Sequence, residues 1–129
     1  MPVVLIVDDD EHIRDLWAEA LSEEGFEVRA APSGVQGVEI AKAERIDVIV
    51  TDILMPDKDG IETLLEIKSA CPHTRILVVS GGGVLLSSSY VRVAEKLGAD
   101  ASLQKPVDLE RFCNVVAELA GPRPVPDSR

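Results

Sequence analysis

Polar residues of three kinds stand where short apolar runs end: Asp8 and Asp9 after VVLIV, Asp52 after VIVT, Ser80 after ILVV and Lys105 after ASLQ. Carboxylates offer hard oxygen ligands to a divalent cation, and an aspartate can also attack phosphorus and carry the group as an acyl phosphate. A hydroxyl donates a hydrogen bond to a phosphoryl oxygen, and an ammonium neutralises its charge. Crowding three carboxylates raises the pKa of at least one of them unless a cation intervenes. Magnesium fits such a cluster, because it binds through one or two carboxylates and keeps waters and phosphoryl oxygens in its shell.

Asp52 is the candidate nucleophile, since it follows an apolar strand where burial of an unpaired charge costs free energy. Lys105 would pair with a carboxylate at rest and with a phosphoryl oxygen afterwards, while Ser80 donates to another oxygen. Gly81, Gly82 and Gly83 would let the backbone approach that group, or would form a merely flexible loop. Each residue also has an ordinary reading. Asp8 to Asp10 could be a solvated turn with Asp10 capping a helix, Ser80 a strand-end hydroxyl, Lys105 a surface lysine. Their joint arrival at one edge is what points to a site. His12 and His73 lack metal-ligand spacing and are expected at the surface, and Trp17 in the core.

The elements that must deliver these groups alternate. Residues 3–7, 26–30, 46–51, 75–79 and about 100–104 read as strands, and the segments between them carry apolar residues at three- and four-residue spacing. Ile13, Leu16, Trp17, Ala20 and Leu21 form one such stripe; Leu109, Phe112, Cys113, Val116 and Ala120 form another. Ser33 with Gln36 and Asp59 with Glu62 have the spacing of capping boxes, and Gly25 and Gly98 suit helix C-termini. Five βα units with right-handed crossovers give an α/β, doubly wound, five-stranded parallel sheet with helices on both faces. The VVLIV and VIV runs are apolar on both sides and therefore central. An order of 2-1-3-4-5 sets them side by side at the switch point, with Asp8, Asp9 and Asp52 at the carboxyl edge, where open α/β folds bind ligands.

A chain of 129 residues is one domain, expected over 1–121, with a mobile tail at 122–129 that holds Pro122, Pro124 and Pro126 and has little to bury. With 46% hydrophobic and 28% charged residues, the composition excludes a disordered or fibrous chain. The formal charge of −10 repels nucleic-acid phosphate and anionic lipid, so direct binding to either is not expected. Cys71 and Cys113 form no CxxC, and Cys113 sits on an apolar stripe, which favours a buried thiol over a disulfide. The N-terminal apolar run is too short for a signal peptide or a membrane span, and a cytoplasmic location is expected.

VDDD at 7–10, TDILMPDKDG at 51–60, SGG at 80–82 and KP at 105–106 are correctly spaced to resemble the receiver domain of two-component response regulators, over about residues 1–120. The resemblance implies a flavodoxin-like (βα)5 receiver with Asp52 as phosphoacceptor. It implies that Asp8, Asp9, Asp52 and the backbone carbonyl of Leu54 hold Mg²⁺, that Ser80 and Lys105 contact the phosphoryl group, and that Lys105–Pro106 is cis. The implied donor is a phosphohistidine on a sensor histidine kinase or histidine phosphotransfer protein, and the output is contact with a downstream protein that the sequence does not name. Self-phosphorylation and slow dephosphorylation would be the only chemistry, so the chain is not expected to be an enzyme in the ordinary sense. It would be a single-domain regulator or a fragment of a longer one.

Family members usually carry Tyr or Phe three residues before the lysine as a rotating switch, and here that position is Ser102. A signal would have to pass through the Ser80 loop and the fourth helix instead. Ser102 also keeps open a receiver-like binding module that works without phosphate. A haloacid-dehalogenase-type phosphohydrolase matches less well. Such enzymes need a second Asp two residues after the nucleophile, where this chain has Leu54.

Overall fold

The computed structural model describes residues 2–52, 60–81, 92 and 94–121. Leu54, Gly82, Gly83, the Asp59 cap and the tail at 122–129 lie outside the described residues. In chain order the elements are β1 (Val3–Val7), α1 (Glu11–Glu23), β2 (Glu27–Ala31), α2 (Gly34–Ala43), β3 (Val48–Asp52), α3 (Gly60–Ala70) and β4 (Arg75–Ser80). A helix described at residues 92 and 94–96 (α4) follows, then β5 (Ala101–Gln104) and α5 (Leu109–Ala120). The sheet is five-stranded in the order β2-β1-β3-β4-β5, and every pairing is parallel.

Period-two alternation sorts the strand residues onto two faces. Val4 and Ile6 of β1, Val48 and Val50 of β3, and Leu77 and Val79 of β4 pack with Trp17 and Leu21 of α1 and Phe112 and Val116 of α5. Their neighbours Leu5, Val7, Ile49, Ile76 and Val78 face the other way, onto Val38, Ala41, Leu64, Ile67 and Ala94. Every residue of β3 is buried, as are four of the five in β1, so the two strands are central as their composition requires. Helix α2 comes close to β1 because Gly37 has no side chain: a Cβ there would lie 2.7 Å from Cγ2 of Val7.

Local chemistry sets the helix ends. The Asp10 carboxylate accepts from the N–H groups of His12 and Ile13, and Ser33 Oγ accepts from that of Gln36. At the other end of α1, Gly25 has φ 96°, its N–H donates to Ser22 and that of Phe26 to Leu21, so a left-handed glycine closes the last turn. Gly98 (φ 116°) does the same for α4, with Ala99 N–H donating to Ala94.

Some sequence expectations shift. Strands β2 and β3 begin one and two residues later than the apolar runs suggest; Ile46 is buried but precedes the ladder, its carbonyl taken by the Thr74 hydroxyl at 2.8 Å. Leu16, placed on the core stripe of α1, is 47% exposed, because it lies at the stripe's edge in an open groove with Ile13, Pro106 and Val107. Cys113 is only half-buried, near the end of α1, whereas Cys71 is buried with its Sγ donating to the Ala41 carbonyl; both are free thiols. His12 and His73 are exposed, and no helix among the described residues is long and apolar enough to cross a membrane.

Candidate functional site

Asp8 follows the last residue of β1 and Asp52 ends β3, and because these strands are neighbours their carboxylates meet at the carboxyl edge. Asp8 is fully buried, and four hydrogen bonds fix it: its N–H donates to the Ala31 carbonyl at 3.2 Å, Oδ1 accepts from Asp10 N–H at 2.9 Å, Oδ2 from Lys105 Nζ at 3.1 Å, and its carbonyl from Arg14 Nη1 at 2.8 Å. Asp52 is 7% exposed and its Oδ2 accepts from Lys105 Nζ at 3.0 Å. Asp9 is exposed. Oxygens of Asp8, Asp9 and Asp52 all lie within 4.8 Å of one another.

Lys105 follows β5 across the sheet, where its N–H extends the ladder to the Ser80 carbonyl at 2.7 Å. Ser80 is buried at the end of β4, beside the register partner of Asp52. The side chain of Lys105 passes Gly81 closely, since a Cβ on that glycine would lie 3.0 Å from Cδ of the lysine. Gly81 thus makes room for the lysine stem, a reason for glycine that proximity to a phosphoryl group alone does not reveal. The Lys105–Pro106 bond is cis. Ser102 stands apart from the pocket, its Oγ donating to Glu95 Oε2 of α4 at 3.1 Å.

One ammonium cannot balance three carboxylates. Burial pushes the Asp8 carboxyl above its ordinary range, and the hydrogen bonds from Asp10 and Lys105 only moderate the rise. Burial works to lower the Lys105 ammonium, but hydrogen bonding and charge from Asp52, then from Asp8, outweigh it and hold it upward. With all three carboxylates ionised, two negative charges remain, the charge of one divalent cation. Hard oxygen donors, converging positions and this excess charge make the cluster able to hold a metal.

Asp8, Asp9, Asp52, Ser80, Gly81, Lys105 and Pro106 all reach this edge, although nearly a hundred positions separate the first from the last. Sequence reasoning missed Arg14, which clamps the Asp8 carbonyl from the first turn of α1; its position four residues after the Asp10 cap was the available signal. It also saw in Trp17 only a core residue. The indole is buried, stacks on Phe112 at 4.8 Å, and lies with its centroid 5.9 Å from Lys105 Nζ.

Comparison with known proteins agrees with this geometry. Sporulation initiation phosphotransferase F of Bacillus subtilis is 32% identical over 113 residues, 88% of this chain and 89% of that protein. The DNA-binding transcriptional regulator NtrC of Azospirillum brasilense is 35% identical over 113 residues, 88% of this chain but 23% of that longer protein. A response regulator receiver domain protein from Clostridium thermocellum superposes with a TM-score of 0.84 at 30% identity, covering 93% of this chain and 94% of that one. The family described as the response regulator receiver domain matches residues 4–117. An acidic pocket at the β1/β3 switch point, a lysine bridging from β5 and that match over most of the length lead to one conclusion: the chain belongs to the response regulator receiver domain family of two-component systems.

Proposed function

We propose that this receiver takes a phosphoryl group from a phosphohistidine onto Asp52, and that the modified domain signals through contact with a protein target. The observation that carries the reading is the Asp52 carboxylate, 3.0 Å from a positioned ammonium and within 4.8 Å of two further carboxylates at an open sheet edge. In the transfer, an Asp52 carboxylate oxygen forms the new O–P bond while the P–N bond to the donor imidazole breaks; the electron pair leaves with the imidazole, which is reprotonated by solvent. A small acyl phosphate serves as donor in the same way, releasing its carboxylate.

Asp8, Asp9 and Asp52 would hold Mg²⁺, and their oxygen donors and excess negative charge fit it. When bound, the ion supplies charge stabilisation to the phosphoryl oxygens. Lys105, paired with Asp8 and Asp52 at rest, exchanges one carboxylate oxygen for a phosphoryl oxygen, and Ser80 donates to another. Leu54 offers no carboxylate to activate water, so the acyl phosphate persists as a signal and the domain is not a phosphatase. A sensor kinase or phosphotransfer protein has to bring its imidazole over this edge. The open groove of Ile13, Leu16, Pro106 and Val107 beside Lys105 offers that donor an apolar footing. Two free thiols suit a reducing, cytoplasmic setting.

Incubation with Mg²⁺ and acetyl phosphate followed by intact-mass measurement tests the reading. One added phosphoryl group, absent from Asp52→Ala, is expected. An unmodified wild-type protein, or equal modification of the variant, would overturn it in favour of a module that binds without phosphate.

A further inference from the structure

We infer that Trp17 is a positioning residue for phosphotransfer: its ring face holds the Lys105 ammonium in the pocket while that ammonium changes partners. The inference rests on the phosphoacceptor reading of Asp52 and adds a residue from α1 to it.

The ammonium of Lys105 lies between two unlike neighbours. Asp8 Oδ2 and Asp52 Oδ2 bind it at 3.1 and 3.0 Å, and the Trp17 ring centroid is 5.9 Å away. That is within the range over which a ring quadrupole attracts a cation, and indole is the strongest of the aromatic faces. Trp17 is 2% exposed, so little water competes with the contact, and Phe112 of α5 stacks on it at 4.8 Å with 29° between the planes. The ring is therefore a fixed object. Gly81 leaves no slack around the stem, since even a methyl group there would lie 3.0 Å from Cδ.

Core packing alone would account for a large apolar residue at position 17, and leucine would serve that purpose. It does not account for an electron-rich face beside a lysine that touches both Asp8 and Asp52. Phosphorylation requires that lysine to leave a carboxylate oxygen for a phosphoryl oxygen. During the exchange its carboxylate contacts are in flux, whereas an attraction to a ring held by α1 and α5 persists.

Trp17 is the sole tryptophan of the chain, which allows a test that leaves the packing alone. Protein produced with mono-, di- or trifluorotryptophan carries a ring of nearly unchanged size and progressively weaker attraction for a cation. The initial rate of Asp52 phosphorylation by acetyl phosphate in saturating Mg²⁺ should fall step by step along the series, by roughly two- to tenfold in total. In a second arm, Trp17→Leu and Val116→Ala are compared by the NMR order parameter of the Lys105 ε-methylene. Trp17→Leu should loosen the lysine, while Val116→Ala, which opens the same core and keeps the Trp17–Phe112 stack, should leave it ordered. A flat fluorotryptophan series overturns the inference, and so does equal loosening of Lys105 in both variants. If unsubstituted protein is not phosphorylated, the reading of Asp52 has failed instead, and the order parameters still decide whether Trp17 holds the lysine.

Discussion

Lys105 Nζ lies 3.0 Å from Oδ2 of Asp52, and the same ammonium reaches Oδ2 of Asp8 at 3.1 Å, so one cation serves two carboxylates that are almost wholly out of water. Removing it strands both. Lys105→Met keeps most of the stem and deletes the charge, and breaking a buried pair from one side is costly because the partner charge stays behind. We expect a loss of about 2–4 kcal/mol in urea titrations made with a chelator present. Part of it should return in millimolar Mg²⁺ if the ion binds the acidic cluster as proposed, since it would supply positive charge at the same place. A loss below about 1 kcal/mol would mean that the contact behaves as an exposed surface pair.

Asp8 carries the opposite expectation. Its side chain is fully buried, and burial holds its carboxyl above the ordinary value of 3.8 in spite of the Asp10 and Lys105 hydrogen bonds. A raised acid favours the folded state when protonated: the favourable contribution is complete below pH 3.8 and disappears as pH rises through the folded-state value. Asp8→Asn removes that charge permanently. The variant should be more stable than wild type without metal at neutral pH, by about 1–2 kcal/mol. The difference should open as pH rises above 3.8 and close below it. Stabilisation by Mg²⁺ should be lost in the variant. Thermal melts across pH, with and without Mg²⁺, check all three, and a less stable Asp8→Asn would show that the carboxylate is a net structural asset.

How far such a pocket can be read from sequence depends on what kind of force places each residue. Asp52 and Lys105 were legible because a parallel strand delivers its last residue to one edge whatever loop follows, so burial pattern alone locates them. Asp10, Ser33, Gly25 and Gly98 were legible for a local reason, since caps depend only on near neighbours in the chain. Leu16 was misjudged because a stripe at helical spacing does not say where the covering helix ends; α5 covers Trp17 and Leu21 but leaves Leu16 open. The Trp17–Lys105 contact was invisible for a related reason. Whether a core ring shows its face to a charged neighbour is decided by packing between elements 88 positions apart, and no local pattern encodes that.

The two thiols should differ in reactivity. Burial, then Glu24, then Glu23 push the Cys113 thiol above 9.0, and a raised thiol holds less thiolate at any given pH. Alkylation of Cys113 followed by mass spectrometry should therefore be slow at pH 7.5, with its half-maximal rate above pH 9.0. Added salt should lower that midpoint by screening the two glutamates. Cys71, buried under α2 and α3, should label only on unfolding. Rapid labelling of Cys113 at neutral pH would contradict the electrostatic account of its surroundings.

Ser102 sits where many family members place a rotating aromatic, and its hydroxyl instead ties β5 to α4 through Glu95. A route outward from the pocket exists without an aromatic. Lys105 N–H is bound to the Ser80 carbonyl, Val78 and Ser102 are register partners in the same β4–β5 ladder, and Ser102 holds α4. If phosphorylation of Asp52 draws Lys105 to a phosphoryl oxygen as proposed, that ladder end should shift and carry the Ser102–Glu95 contact with it. Amide resonances of residues 94–104 should therefore move after acetyl phosphate treatment, and Ser102→Ala should shrink those movements. The same substitution should alter stability by less than about 1 kcal/mol, because the hydrogen bond is exposed and water replaces it. Shifts confined to Asp8, Asp9, Asp52, Ser80 and Lys105 would mean that the β5 face receives no signal along this path, and that the partner reads the phosphorylated edge directly.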